Sequence, residues 1–147
     1  MKMRNSANNA YITVGTFTAS ATTITQTDVN QTFSKAQRGT ITQVNSTSGG
    51  AVTLDMAANN YFKPSNAAGG GVLVNPTNVV AGQAGSVFIV QDGTGSRTLG
   101  YGTNWHFAAG TVPVLTTTAS AVDRLDYIVY SSTSIQCVLS NDIKAGS

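Results

Sequence analysis

The sequence predicts an all-β protein: a β-sandwich or jelly-roll-like module over residues 31–147, preceded by an extended N-terminal arm over residues 1–30. Three observations carry this reading. Charged residues make up only 10% of the chain and glutamate is absent, while Thr, Ser, Asn and Gly fill the polar positions. Such a composition favours strands and turns over helices, which draw on Ala, Leu, Glu, Lys and Arg. Short apolar runs broken by Gly, Pro, Asn and Ser clusters recur about seven to nine times, the spacing of a sandwich or barrel. No helical period of useful length is present, and no strict internal repeat.

The elements follow in chain order. Residues 1–30 are Asn- and Thr-rich, with large apolar residues sparse beyond the first methionines: Tyr11, Ile12, Val14, Phe17, Ile24 and Val29. That is too little to offset an ordering cost of about 1–2 kcal/mol per residue, so the arm needs another surface to order against. Its β-branched content favours an extended form. Strand, turn, strand is expected from Ile41 and Val44, then "STSGG", then Val52 and Leu54. Ala57 to Gly71 reads as loop. Val72 to Val74 is a short strand that should stop at Asn75-Pro76, since proline lacks a ladder donor. Val87 to Val90, unbroken and apolar, suits a central strand covered on both faces. With "QDGTGS" and "RTLGYG" behind it, it predicts a hairpin around Asp92-Gly93. The clearest alternation predicts a second hairpin: Leu125, Tyr127 and Val129 on one face, a turn at "SSTS", and Ile135, Cys137 and Leu139 returning.

Composition and motifs exclude several chemistries. The net charge of +2 comes from eight basic residues spread singly along the chain, so there is no phosphate-neutralising stripe and nucleic acid is not expected as a partner. No apolar run approaches the length of a membrane span, and the basic N-terminus has no apolar stretch behind it to form a secretory signal. The expectation is therefore no membrane partner and assembly in a cytoplasm. "DGTGSR" lacks the Lys-Ser/Thr and the following helix of a phosphate loop. Asp92 is the only carboxylate of its loop, and Asp123 and Asp126 fall on opposite strand faces, so no metal site is expected. His106 is the only histidine and Cys137 the only cysteine, the latter placed on an apolar strand face where a thiol is inert. Neither an enzyme nor a cofactor is expected. An enzyme would require Asp92, Asp123 or Asp126 to converge with a second acid. Trp105, beside Tyr101, His106 and Phe107, reads first as a cap on the core and second as a sugar-stacking platform.

One long stretch adds a resemblance. Gly82-Gln83 with Gly85, Gln91-Asp92-Gly93-Thr94-Gly95-Ser96-Arg97-Thr98-Leu99, Trp105 and Phe107, the "GTVPVLTTTA" line from Gly110 to Ala119, Ala121-Val122-Asp123 and Ser131-Ser132-Thr133 together resemble a β module that recurs in virion proteins of tailed bacteriophages. "FSKAQRGTIT" and "NPTN" upstream are similar to such proteins too. His106 and Ala109 depart from the pattern, which has a basic residue and a glycine there. The resemblance implies a structural virion role without catalytic residues. A capsid decoration (cement) protein suits a short arm and one compact module: it would bind the major capsid protein on the capsid surface and associate as a homo-oligomer, by resemblance a trimer. Tyr11, Ile12, Val14 and Phe17 are then the candidate contacts to capsid or to neighbouring copies. The alternative is a tail or tail-fibre component that meets host-surface glycans through Tyr101 and Trp105.

Overall fold

The computed structural model describes residues 36, 38–46, 50–65 and 70–146, with the backbone of two further strands at 2–4 and 11–13. The chain divides into two units, Met1–Gln37 and Arg38–Ser147. In the first, β1 (Lys2–Arg4) and β2 (Tyr11–Thr13) pair antiparallel, Met3 opposite Ile12. The contacts expected from Val14 and Phe17 lie outside the described residues, as do the side chains of Tyr11 and Ile12.

The second unit is all-β. Its described strands are β3 (Thr42–Val44), β4 (Ala51–Val52), β5 (Tyr61–Pro64), β6 (Gly71–Leu73), β7 (Ala84–Val90), β8 (Leu99–Tyr101), β9 (Trp105–His106), β10 (Val122–Ser131) and β11 (Ser134–Ser140). They form a six-stranded sheet in the order β3-β5-β7-β10-β11-β9 and a three-stranded sheet in the order β4-β6-β8. Both sheets contribute to one core, in which Val52 and Leu73 meet Phe62, Val87, Ile89, Leu125, Val129 and Ile135. Each of these side chains stabilises by about 1.5–3 kcal/mol on burial.

From β3 to β8 the chain alternates between the sheets, and every neighbour pair within this stretch is parallel. Thr42 lies opposite Phe62 and Phe62 opposite Val87 in one sheet; Val52 lies opposite Leu73 and Leu73 opposite Tyr101 in the other. The first half of the unit is thus wound as coils, each passing once through both sheets. This corrects the hairpin expected around Asp92-Gly93: β7 and β8 belong to different sheets, and the loop between them crosses the core edge rather than turning back. The stretch expected as loop from Ala57 to Gly71 contains β5, which buries Phe62 and Pro64. Val87 to Val90 alternates, with Val87 and Ile89 buried and Phe88 and Val90 half-buried, because the second sheet covers one face of β7 only.

The second hairpin is formed as expected. β10 and β11 pair antiparallel, Leu125 opposite Leu139 and Tyr127 opposite Cys137. β10 also pairs with β7, and β9 lies parallel along β11 with Trp105 opposite Ile135. The inner face of this hairpin is roofed by chain from residues 102–121, which buries Trp105, Leu115 and Ala121. Gly85 shows why the winding tolerates only glycine at its tightest point: a Cβ there would stand 1.8 Å from the Asn60 carbonyl oxygen. That carbonyl takes the Ser86 N–H and the Tyr127 hydroxyl, tying β5's start to β7 and β10.

Candidate interaction surface

The loop after β7 holds the residues that most resemble chemistry, and Gln91, Asp92 and Arg97 are engaged in hydrogen bonds within the fold. Asp92 Oδ1 accepts the N–H groups of Thr94 (3.0 Å) and Gly95 (2.8 Å), while Oδ2 accepts Nε of Arg97 (2.8 Å) and Nη2 (2.7 Å). The Arg97 hydrogen bond, then that from Gly95, holds the Asp92 carboxyl below its ordinary value; hydrogen bonds to the charged form favour ionisation. Gln91 is buried and bridges the loop to its neighbour. Its amide donates to the carbonyls of Arg97 (2.9 Å) and Thr116 (2.7 Å), and its oxygen accepts the Arg97 N–H (2.9 Å). Gly95 sits at φ 74°, where a Cβ would meet the Thr117 carbonyl at 2.5 Å. Gly95 therefore serves turn geometry and close packing, whereas a Cβ at Gly93 would meet open space.

The aspartates do not converge. Asp123 is 2% exposed and clips two segments to β10, accepting the N–H of Thr116 on Oδ2 and that of Asp142 on Oδ1, both at 2.7 Å. Asp126 faces the opposite side, taking the Ser86 hydroxyl (2.6 Å) and the Arg124 guanidinium (3.0 and 2.9 Å). Cys137 is buried, and burial pushes its thiol up to about 12. Among the described residues, no group of three or more His, Cys, Asp or Glu is placed to hold a metal ion. Among the described residues, no helix is long and apolar enough to cross a membrane.

The aromatic platform needs correction. Trp105 is 5% exposed; its ring packs edge-on against Tyr127 at 6.5 Å, and Nε1 donates to the Val74 carbonyl at 3.1 Å. Its first reading, as a cap on the core, describes its position, and no indole face is left for a sugar. Tyr101 is half-buried against Phe107, ring centroids 4.8 Å apart. Its hydroxyl is enclosed without a partner, and burial, then Cys137 and Asp123, hold it in the protonated form.

What the fold does expose is the outer face of the six-stranded sheet. The registers place Tyr61, Ser86, Asp126 and Val138 in one row across it, and Ala84, Ile128, Gln136 and His106 in the next. Ile128, Tyr130 and Val138 are 51%, 73% and 69% exposed. Where β9 leaves the sheet, a groove of about 590 Å³ runs between His106, Phe107 and Ala108 on one side and Asp126, Ile128, Gln136 and Val138 on the other. The sequence signal for this face was present in the alternation of Asp126, Ile128 and Tyr130, but alternation cannot say whether the outward side is covered.

No protein family, no curated protein and no solved structure matches the chain.

Proposed function

We propose that this chain is a structural assembly protein of a tailed-phage particle, a capsid decoration protein that binds the major capsid protein and stabilises the head as an oligomer. The observation that carries the reading is the contrast between its two candidate surfaces. The acid, arginine and glutamine of the Gln91–Arg97 loop are spent on the fold's own hydrogen bonds, whereas a sheet face bearing Ile128, Tyr130 and Val138 is left open. Exposed apolar area on an otherwise self-satisfied β module is the chemistry of association rather than of turnover. The ordered motif from Gly82 to Thr133 supports a virion setting by resemblance. Many copies on a symmetric shell would make modest contacts sufficient through avidity.

The tail or tail-fibre reading moves to a different place on the molecule. Since Trp105 is buried, glycan contact would fall to the groove between His106 and Val138, where Asp126 and Gln136 offer hydrogen-bonding groups beside apolar walls. Copy number separates the two. Quantitative mass spectrometry of purified particles should find the protein near the stoichiometry of the major capsid protein, and the isolated protein should run as a stable oligomer. A few copies per particle would transfer it to the tail, and absence from particles would overturn both.

A further inference from the structure

We infer that the outer face of the six-stranded sheet packs against the same face of a second copy of the chain, with Tyr130 of each copy entering the other's groove. The inference rests on the association proposed above and names its partner. The face carries both halves of such a contact. Tyr130 is 73% exposed and follows Ile128 by two residues on the same side of β10, about 7 Å along the strand. The β10–β11 register shifts between Val129 and Ser131, an irregularity of the kind that re-aims a side chain. Beside this knob lies the groove of about 590 Å³, with Phe107 on one side and Ile128 and Val138 on the other. Its apolar walls suit a phenol ring, and His106 and Gln136, which also line it, can meet the hydroxyl.

Area, charge and symmetry make the occupant a second copy. An aromatic side chain offers about 150–250 Å². Tyr130, Ile128 and Val138, with Tyr61 at 38% exposure, therefore present a patch on the order of 400 Å². Ser86, Gln136 and His106 stand in the same rows. Such polar positions bring the face towards the roughly 800 Å² that each partner of a stable interface contributes, about half of it apolar. The charge at its centre is balanced within the chain: Asp126 takes the Ser86 hydroxyl at 2.6 Å and the Arg124 guanidinium at 2.9 Å. Two copies can meet there without like-charge repulsion, and Lys63 stands apart on β5, beyond β7. A knob and a groove on one face satisfy each other twice under a two-fold axis, residue to residue in both directions. The pair is thus two-fold, where the resemblance implies a trimer, and its sheets would stack about 10 Å apart.

The test uses the full-length protein and needs no particles. Analytical ultracentrifugation across a dilution series should show a dimer. Tyr130→Glu should raise its Kd by about 30-fold or more, the loss of a buried aromatic anchor. The far-UV spectrum and cooperative unfolding of that variant should be retained, since Tyr130 is an exposed position of the single chain. Gln136→Lys puts a cation in the groove, and mixing it with Tyr130→Glu should restore a dimer that Tyr130→Glu alone does not form. A single-chain mass at every concentration, an odd-numbered oligomer, an equal Kd in Tyr130→Glu, or no recovery in the mixture would each overturn the inference. So would a monomer that binds immobilised glycans or capsid shells lacking the protein and loses that binding in Tyr130→Glu, which would assign the face to those partners. A dimer absent from particles would defeat the decoration reading alone; a monomer abundant on particles would defeat this one alone.

Discussion

Replacing Asp123 tests whether the buried carboxylate is the clip that fastens two irregular segments to the sheet. Both oxygens are occupied, by Thr116 N–H and Asp142 N–H at 2.7 Å, and the side chain is sealed from solvent. The clipped segments hold other contacts that depend on this alignment: Asn141 Nδ2 donates to the Val114 carbonyl at 3.0 Å, and the Ile143 N–H donates to the Val122 carbonyl at 2.8 Å. Asp123→Asn keeps the shape but turns an amide N–H₂ towards one of two backbone donors. It loses one charge-assisted bond and leaves one N–H unpaired, a cost of about 1–3 kcal/mol. Asp123→Ala orphans both donors and opens a small void, so about 2–5 kcal/mol is expected, with partial rehydration of the tail keeping the sum below the ceiling. Trp105, the only tryptophan and buried in the same roof, reports urea unfolding by fluorescence, and linear extrapolation at unchanged slope gives the difference. Amide exchange at Thr116 and Asp142 should quicken in both variants ahead of the core strands. If Asp123→Asn lies within about 0.5 kcal/mol of the parent protein, the usual range for a surface change, the clip argument is wrong.

Other outcomes follow from the same geometry. Gly85→Ala, whose methyl would meet the Asn60 carbonyl at 1.8 Å, should destabilise by about 3 kcal/mol or block folding, read by thermal unfolding. Ala109 adopts φ 54°, ψ 21° inside the short 3-10 turn Ala108–Gly110; Ala109→Gly should therefore raise stability by about 0.5–1 kcal/mol in urea titration, with no change meaning that the strain is absent in solution. The Cys137 thiol, held near 12 by burial against 9.0 for an ordinary thiol, should resist a thiol-exchange reagent at pH 8 until the protein unfolds; immediate stoichiometric reaction would refute its burial. Because the unfolded thiol ionises first, stability should be constant with respect to this group below pH 9 and fall as pH rises towards 12. Chemical unfolding across that range checks the sign.

How much of this was legible in the sequence depends on which residues a feature joins. The β10–β11 hairpin could be read because its partners are neighbours in the chain, with a period of two on both sides of "SSTS". The inertness of Cys137 and the separation of Asp123 from Asp126 follow from the same alternation. β5 could not be read: Tyr61 and Phe62 stand between "NN" and Pro64, and they become a strand only because β3 and β7 flank them. The Asp-Gly loop misled for a related reason. Its glycines and Asp92 do make a tight, self-satisfied turn, but a turn signal specifies local backbone, not whether the chain returns beside the strand it left.

By itself, then, the sequence determined the class of the molecule. Few charges, no glutamate and short apolar runs rich in Thr and Val leave helices no period to follow, and strands are the remaining way to satisfy the backbone. It also determined what the loop chemistry lacks, since the partners needed for a phosphate or metal site are absent from the motif. The tertiary structure alone decided the coiled parallel winding, the burial of Trp105 and the exposure of Ile128, Tyr130 and Val138. Those are consequences of long-range pairing: which face of a strand is wet is settled by what packs over it, and the covering chain comes from dozens of residues away.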